Sequence, residues 1–247
     1  MTNITLEICC GSADDVFQAK AAGAHRVELN SALFLGGLTP SLGTVRTAQK
    51  AGIPVMAMVR PREGGFCYTD YEFEGMLEDV HAFVDAGVAG LVFGVLRPDG
   101  TVDTSRCKRL VDAAQGREIV FHRAFDVTPD WKQALDALID LGFTRVLTSG
   151  QAPSVPFGVQ TLREMISYAQ GRIQILPGGG IRPANIAQMV QAIGCTQVHA
   201  SANRRCTDTS CLGNPEIHFG GALYPPEDQY SMTDPGKVQS LLSGLQL

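Results

Sequence analysis

The sequence predicts a single-domain (β/α)8 barrel, a TIM barrel, over residues 1–247. Three observations lead there. Strand-like and helix-like segments alternate from end to end of the chain, a pattern that right-handed βαβ units with a parallel sheet produce. Glycine recurs just past the helical segments, at Gly23, Gly52, Gly87, Gly142, Gly171 and Gly194, where a left-handed stop residue is favoured. The units number eight in 247 residues, a length that suits a closed barrel. No GxGxxG follows the first strand, which argues against a dinucleotide-binding Rossmann sheet.

Taken in order, strands are expected over 5–9, 25–30, 54–60, 90–96, 118–126, 144–148, 172–176 and 197–200. Each is a short apolar or alternating run bounded by turn residues. Helices are expected over 14–22, 42–51, 71–86, 104–114, 129–141, 159–169 and 183–193, with a last one over 234–245. Glycine-rich loops follow the second and third strands, at 31–40 and 61–69. After the eighth strand, 203–233 shows no periodicity. It reads as one long loop that covers the barrel mouth or makes a subunit contact.

Bulk properties narrow the partners. A net charge of -5 speaks against nucleic acid or an anionic membrane surface. Met1 is followed by polar Thr2 and Asn3 and no apolar run would span a bilayer, so a cytoplasmic protein is expected. Seven scattered cysteines with no CxxC pair read as reduced thiols rather than as disulfides or a closed zinc site.

Alternate side chains on a strand face opposite sides. With the apolar faces turned to the helices, Glu7 on the first strand, Glu28 on the second and His199 on the eighth point into the barrel. The fifth strand ends in Phe121-His122-Arg123-Ala124-Phe125-Asp126, and the third ends at Arg60. Buried carboxylates need partners, and Arg60, His122 and Arg123 can supply them. Glu7, Glu28, His122 and His199 form candidate acid–base pairs. Arg60 and Arg123 are candidate anion ligands, with Asp126 orienting Arg123 or His122. A buried salt-bridge network that sets barrel register is the structural alternative, and a divalent metal held by Glu and His is another.

The turns after the last three strands carry Ser149-Gly150, Gly178-Gly179-Gly180 and Ser201. Glycines there let a backbone approach phosphate or another anion, and the loops after strands seven and eight are the usual phosphate site of this architecture; a plain tight turn accounts for the same residues. Cys9, Cys10 and Cys67 are candidate ligands of a soft metal such as Cu(I), although adjacent Cys9 and Cys10 face opposite ways on a regular strand. Cys206, Cys211 and His218 match no standard spacing, and Cys107 and Cys195 read as structural.

Several strings together resemble the CutC copper homeostasis family. They are Leu6-Glu7-Ile8-Cys9, Arg26-Val27-Glu28-Leu29, Gly36-Gly37-Leu38-Thr39-Pro40-Ser41, Arg60-Pro61-Arg62 before Gly65-Phe66-Cys67-Tyr68, Phe121 to Asp126, Leu147-Thr148-Ser149-Gly150, and Val198-His199 followed by Ser201. They run in order from 6 to 201. The resemblance implies a TIM barrel, a cytoplasmic location, a homo-oligomer as in some members, and a role in copper tolerance or trafficking with copper as the bound ion. The rival reading is an enzyme of unknown reaction acting on a small anionic substrate, with or without a phosphate group, by acid–base chemistry. A third is a scaffold that kept the barrel without its chemistry.

Overall fold

A computed structural model describes residues 4–214, 216–219 and 226–246. Eight parallel strands form the barrel: β1 Thr5–Cys10, β2 Arg26–Leu29, β3 Val55–Met58, β4 Gly90–Phe93, β5 Glu118–Phe121, β6 Arg145–Thr148, β7 Gln174–Pro177 and β8 Gln197–Ala200. They pair in sequence order, and β8 returns to pair with β1. The ring is nearly closed by a single bridge between Gly178 and His199. Outside lie α1 Ala13–Ala21, α2 Leu42–Gln49, α3 Asp70–Asp85, α4 Thr104–Ala113, α5 Trp131–Asp140, α6 Val155–Ala169, α7 Ile186–Ile193 and α8 Pro235–Gly244.

Local chemistry sets these helices. Ser12, Ser41, Asp103, Asp130 and Asp234 cap α1, α2, α4, α5 and α8 through side-chain oxygens that accept first-turn N–H groups. Thr69 and Glu72 close a capping box on α3, satisfying two otherwise free donors. All six glycines read as helix stops have positive φ.

The core has two compartments, and strand parity separates them. Val55, Ala57 and Val59 join the large cluster between barrel and helices, while Met56 and Met58 turn the other way. With Val92, Val120, Leu147 and Leu176 they form a second cluster inside the barrel. The inner residues of β1, β2 and β8 are instead polar. The apolar fill of one half of the barrel leaves a pocket of charge against the other.

The 203–233 stretch departs from the expected structureless loop. It holds two antiparallel strands, β9 Asn203–Thr207 and β10 Gln229–Thr233. Both are largely exposed, so no apolar alternation marks them in the sequence. The hairpin is tied down where Thr233 N–H donates to the Asp15 carboxylate and Asp234 N–H to the Ala202 carbonyl. The 215 and 220–225 positions of the expected loop, and Met1, Thr2 and Asn3, lie outside the described residues.

Candidate functional site

At the C-terminal ends of the strands lies a cavity of about 270 Å³, lined by residues that include Cys9, Glu28, Arg60, His122, Arg123 and His199. Glu7 sits one pleat below Cys9. Its carboxylate is 2 % exposed, accepts from Arg26 Nε, and lies 2.8 Å from His199 Nδ1. Burial works against ionising Glu7, but the His199 hydrogen bond and the Arg26 charge win and hold it at about 2. Burial likewise opposes a charge on His199. The Glu28 charge and the hydrogen bonds to Cys9 and Glu7 outweigh it and raise His199 well above its ordinary value. The pair is therefore a carboxylate and an imidazolium.

Glu28 is the contrasting acid. Burial and the neighbouring Glu7 charge raise it, against the His199 charge. Its Oε2 accepts from Asn30 Nδ2 at 2.9 Å and from the Cys9 thiol at 3.8 Å, while its buried Oε1 has no donor among the described residues. Burial also pushes the Cys9 thiol up to about 11. Cys9, Glu28 and His199 each place a ligand atom within 4.8 Å of the others, and all three are buried.

The other predicted residues divide. Cys10 is buried on the opposite face of β1, with its Sγ directed at the Ile8 carbonyl at 3.7 Å. Cys67 is exposed on the β3–α3 loop and does not line the cavity. The structure thus brings Cys9 to Glu28 and His199 and does not bring Cys10 and Cys67 with it, because strand parity sends Cys10 into the helix layer. Arg60 lines the cavity but spends Nη1 on the Leu35 and Gly37 carbonyls and Nη2 on Gly64, so it fastens the two glycine-rich loops.

His122 caps the short 3₁₀ turn Arg123–Val127, its Nδ1 accepting from Ala124 N–H at 3.2 Å. Asp126 holds the next turn: it accepts from Thr148 Oγ1, Ser149 N–H and Gln151 N–H, and from Arg123 Nε at 2.7 Å. Ser149 is fully buried, and its hydroxyl accepts from Arg123 Nη2 at 2.7 Å. The glycines serve close packing. A Cβ on Gly150 would meet the Gly158 carbonyl at 2.6 Å, and one on Gly180 would meet Ser154 Cβ at 2.8 Å. Gly179 packs against Arg123, and Ser201 is exposed beyond β8, away from the cavity lining.

Two residues that the sequence reading passed over help shape the site. Asn30 bridges Glu28 and Cys9, donating to the carboxylate at 2.9 Å and to Sγ at 3.6 Å; its place two residues after Glu28 on the same strand face was the available signal. Gly94 makes room for the His122 ring, since a Cβ there would lie 2.7 Å from Cε1 and Nδ1.

Fold and site together define a parallel β/α barrel with a thiol, two carboxylates, two imidazoles and two guanidinium groups around its mouth. The chain belongs to the CutC family, whose pattern it matches over residues 4–204. It is 51% identical over 246 residues to a family protein CutC of Treponema denticola, covering 99% of this chain and 100% of that one. It is 39% identical over 237 residues to a mouse protein named copper homeostasis protein cutC homolog, covering 96% of this chain and 87% of the relative. The crystal structure of a CutC protein from Streptococcus agalactiae superposes with a TM-score of 0.76 at 37% identity, covering 79% of this chain and 97% of that one.

Proposed function

We propose that this protein acts in copper homeostasis, as its mouse relative is named, and takes up copper as Cu(I) at the barrel mouth through Cys9 and His199, with Glu28 beside them. The observation that carries the reading is the buried Cys9–Glu28–His199 group, with ligand atoms within 4.8 Å of one another. Thiolate and imidazole are the donors among these that suit Cu(I). The carboxylate can take up a proton that the ion displaces.

The same reading places the protein in the cytoplasm as a homo-oligomer. All seven cysteines are free, as a reducing compartment keeps them. Among the described residues no helix is long and apolar enough to cross a membrane. Phe34 is 69% exposed beside a groove of about 610 Å³ that it lines with Leu33 and Tyr230, which supports a contact between copies.

The test is competition for Cu(I) between the reduced protein and a chromophoric chelator. Stoichiometric binding that Cys9→Ser loses and Cys67→Ser keeps is the expected result. Weak binding, or binding that Cys9→Ser leaves intact, overturns the reading.

A further inference from the structure

The mouth cavity holds more unsatisfied chemistry than a cation at Cys9 and His199 uses. Its walls are of two kinds. Met58, Phe66 and Leu147 form an apolar side, and Glu28, His122 and Arg123 stand among the polar residues. His122 is neutral: burial and the Arg60 charge push it down to about 3. Because its Nδ1 accepts the Ala124 N–H, the single ring proton sits on Nε2. That Nε2–H is buried and meets no acceptor among the described residues. Phe66 packs against the ring at 5.0 Å between centroids, and the fit to Gly94 closes another side, so the ring is held in this orientation.

From β2, Glu28 brings the complementary group: a buried carboxylate oxygen, Oε1, with no donor among the described residues. A buried polar group without a partner keeps its full desolvation cost. Among the described residues, two donors, His122 Nε2 and Arg60 Nε, and one acceptor, Glu28 Oε1, are left open on residues of a single cavity, which calls for a ligand that pairs with donor and acceptor alike. Arg123 adds the charge. Its side chain is 42% exposed, and Asp126 and Ser149 engage Nε and Nη2. The guanidinium is therefore fixed in orientation with Nη1 left for a ligand. The narrow approach over Gly179, where a Cβ would fall 2.9 Å from Nη1, keeps that nitrogen clear.

We propose that the barrel mouth binds a small organic anion bearing hydroxyl oxygen close to its charged group, with the anion on Arg123, an oxygen accepting from His122 Nε2 and a hydroxyl donating to Glu28 Oε1. A hydroxy acid and the phosphate monoester of a short polyol share this chemistry. The cavity of about 270 Å³ falls at the small end of ligand sites. The inference goes beyond copper uptake: it shares Glu28 with that reading and otherwise rests on His122 and Arg123, which the copper group does not include.

Calorimetric titration of the reduced, metal-free protein with chelator present tests it. The probes are glycerate and glycerol 3-phosphate, compared with propionate, methyl phosphate and glycerol. At least one hydroxylated anion should bind about tenfold or more tightly than its plain counterpart and than glycerol, and Glu28→Gln and His122→Asn should each remove about tenfold of that affinity. Glycerate and glycerol 3-phosphate distinguish a carboxylate from a phosphate ligand. Because His122→Asn could disturb the fold, proton NMR of the unmodified protein gives a second reading: the bound probe should shift the His122 Nε2–H signal. Equal binding of hydroxylated and plain anions, or an unmoved His122 signal at saturation, overturns the proposal. The copper competition reads Cys9 and this titration reads Glu28 and His122, so each can fail alone.

Discussion

His199 Nδ1 lies 2.8 Å from Glu7 Oε1, so an ion pair joins the last strand of the barrel to the first at the register point where the two residues pair. Glu7 is shared with Arg26, which also reaches Gln197 on β8 at 3.0 Å. Three strands are thereby held by one buried carboxylate. Removing one partner of a buried pair leaves an uncompensated charge, which costs about 3–5 kcal/mol. Glu7→Gln should destabilise the protein by about that amount in urea unfolding. A loss below about 1 kcal/mol would mean that the pair contributes little to barrel closure.

Acid should weaken the fold in two stages. His122 falls from an ordinary value of 6.5 to about 3, so the unfolded chain binds its proton first. The stability held in neutral His122 is complete above pH 6.5 and is lost as pH falls from there toward about 3. Glu7 falls from 4.5 to about 2, so its contribution is complete above 4.5 and is lost below it. His199, raised above 6.5, has the opposite sign: its contribution is present below 6.5 and is lost as pH rises through the folded value. Between pH 7 and pH 5 the His122 effect should amount to about 2 kcal/mol. Unfolding curves at the two pH values should show the difference shrinking in His122→Asn; an unchanged difference would remove His122 from the account.

Copper affinity should rise with pH. Cys9 stands at about 11 because of burial, and His199 is protonated, so an ion that takes both donors must displace protons. Each proton released makes the apparent affinity about tenfold weaker per unit fall in pH. Chelator competition at pH 6, 7 and 8 should therefore give a slope between one and two protons per ion. A flat profile would place the ion elsewhere.

Gly94→Ala should act through His122. Its new Cβ would fall 2.7 Å from the ring and 3.1 Å from Ala124 Cβ, and overpacking of this kind costs about 1–3 kcal/mol. The expected outcome is that stability loss together with a shifted His122 ring signal in NMR. Loss of stability with an unmoved signal would show that the ring does not depend on Gly94.

The sequence by itself determined what local periodicity can carry. The alternation of β1 places Glu7 and Cys9 on one face and Cys10 on the other, and the same period of two turns Glu28 and His199 inward. Helix caps and stop glycines marked most element ends to within a few residues, although α6 begins at Val155 and α7 at Ile186, on either side of the expected starts. The β9–β10 hairpin was not legible because exposed strands carry no apolar alternation. The tertiary structure alone decided which inward side chains meet. Cys9 and His199 are separated by nearly the whole chain and become neighbours because β8 returns to β1. Arg60, an anion ligand by its position in the sequence, gives both terminal nitrogens to loop carbonyls instead. Hydrogen-bond partners depend on ring closure and loop paths, and these are long-range properties that no local pattern encodes.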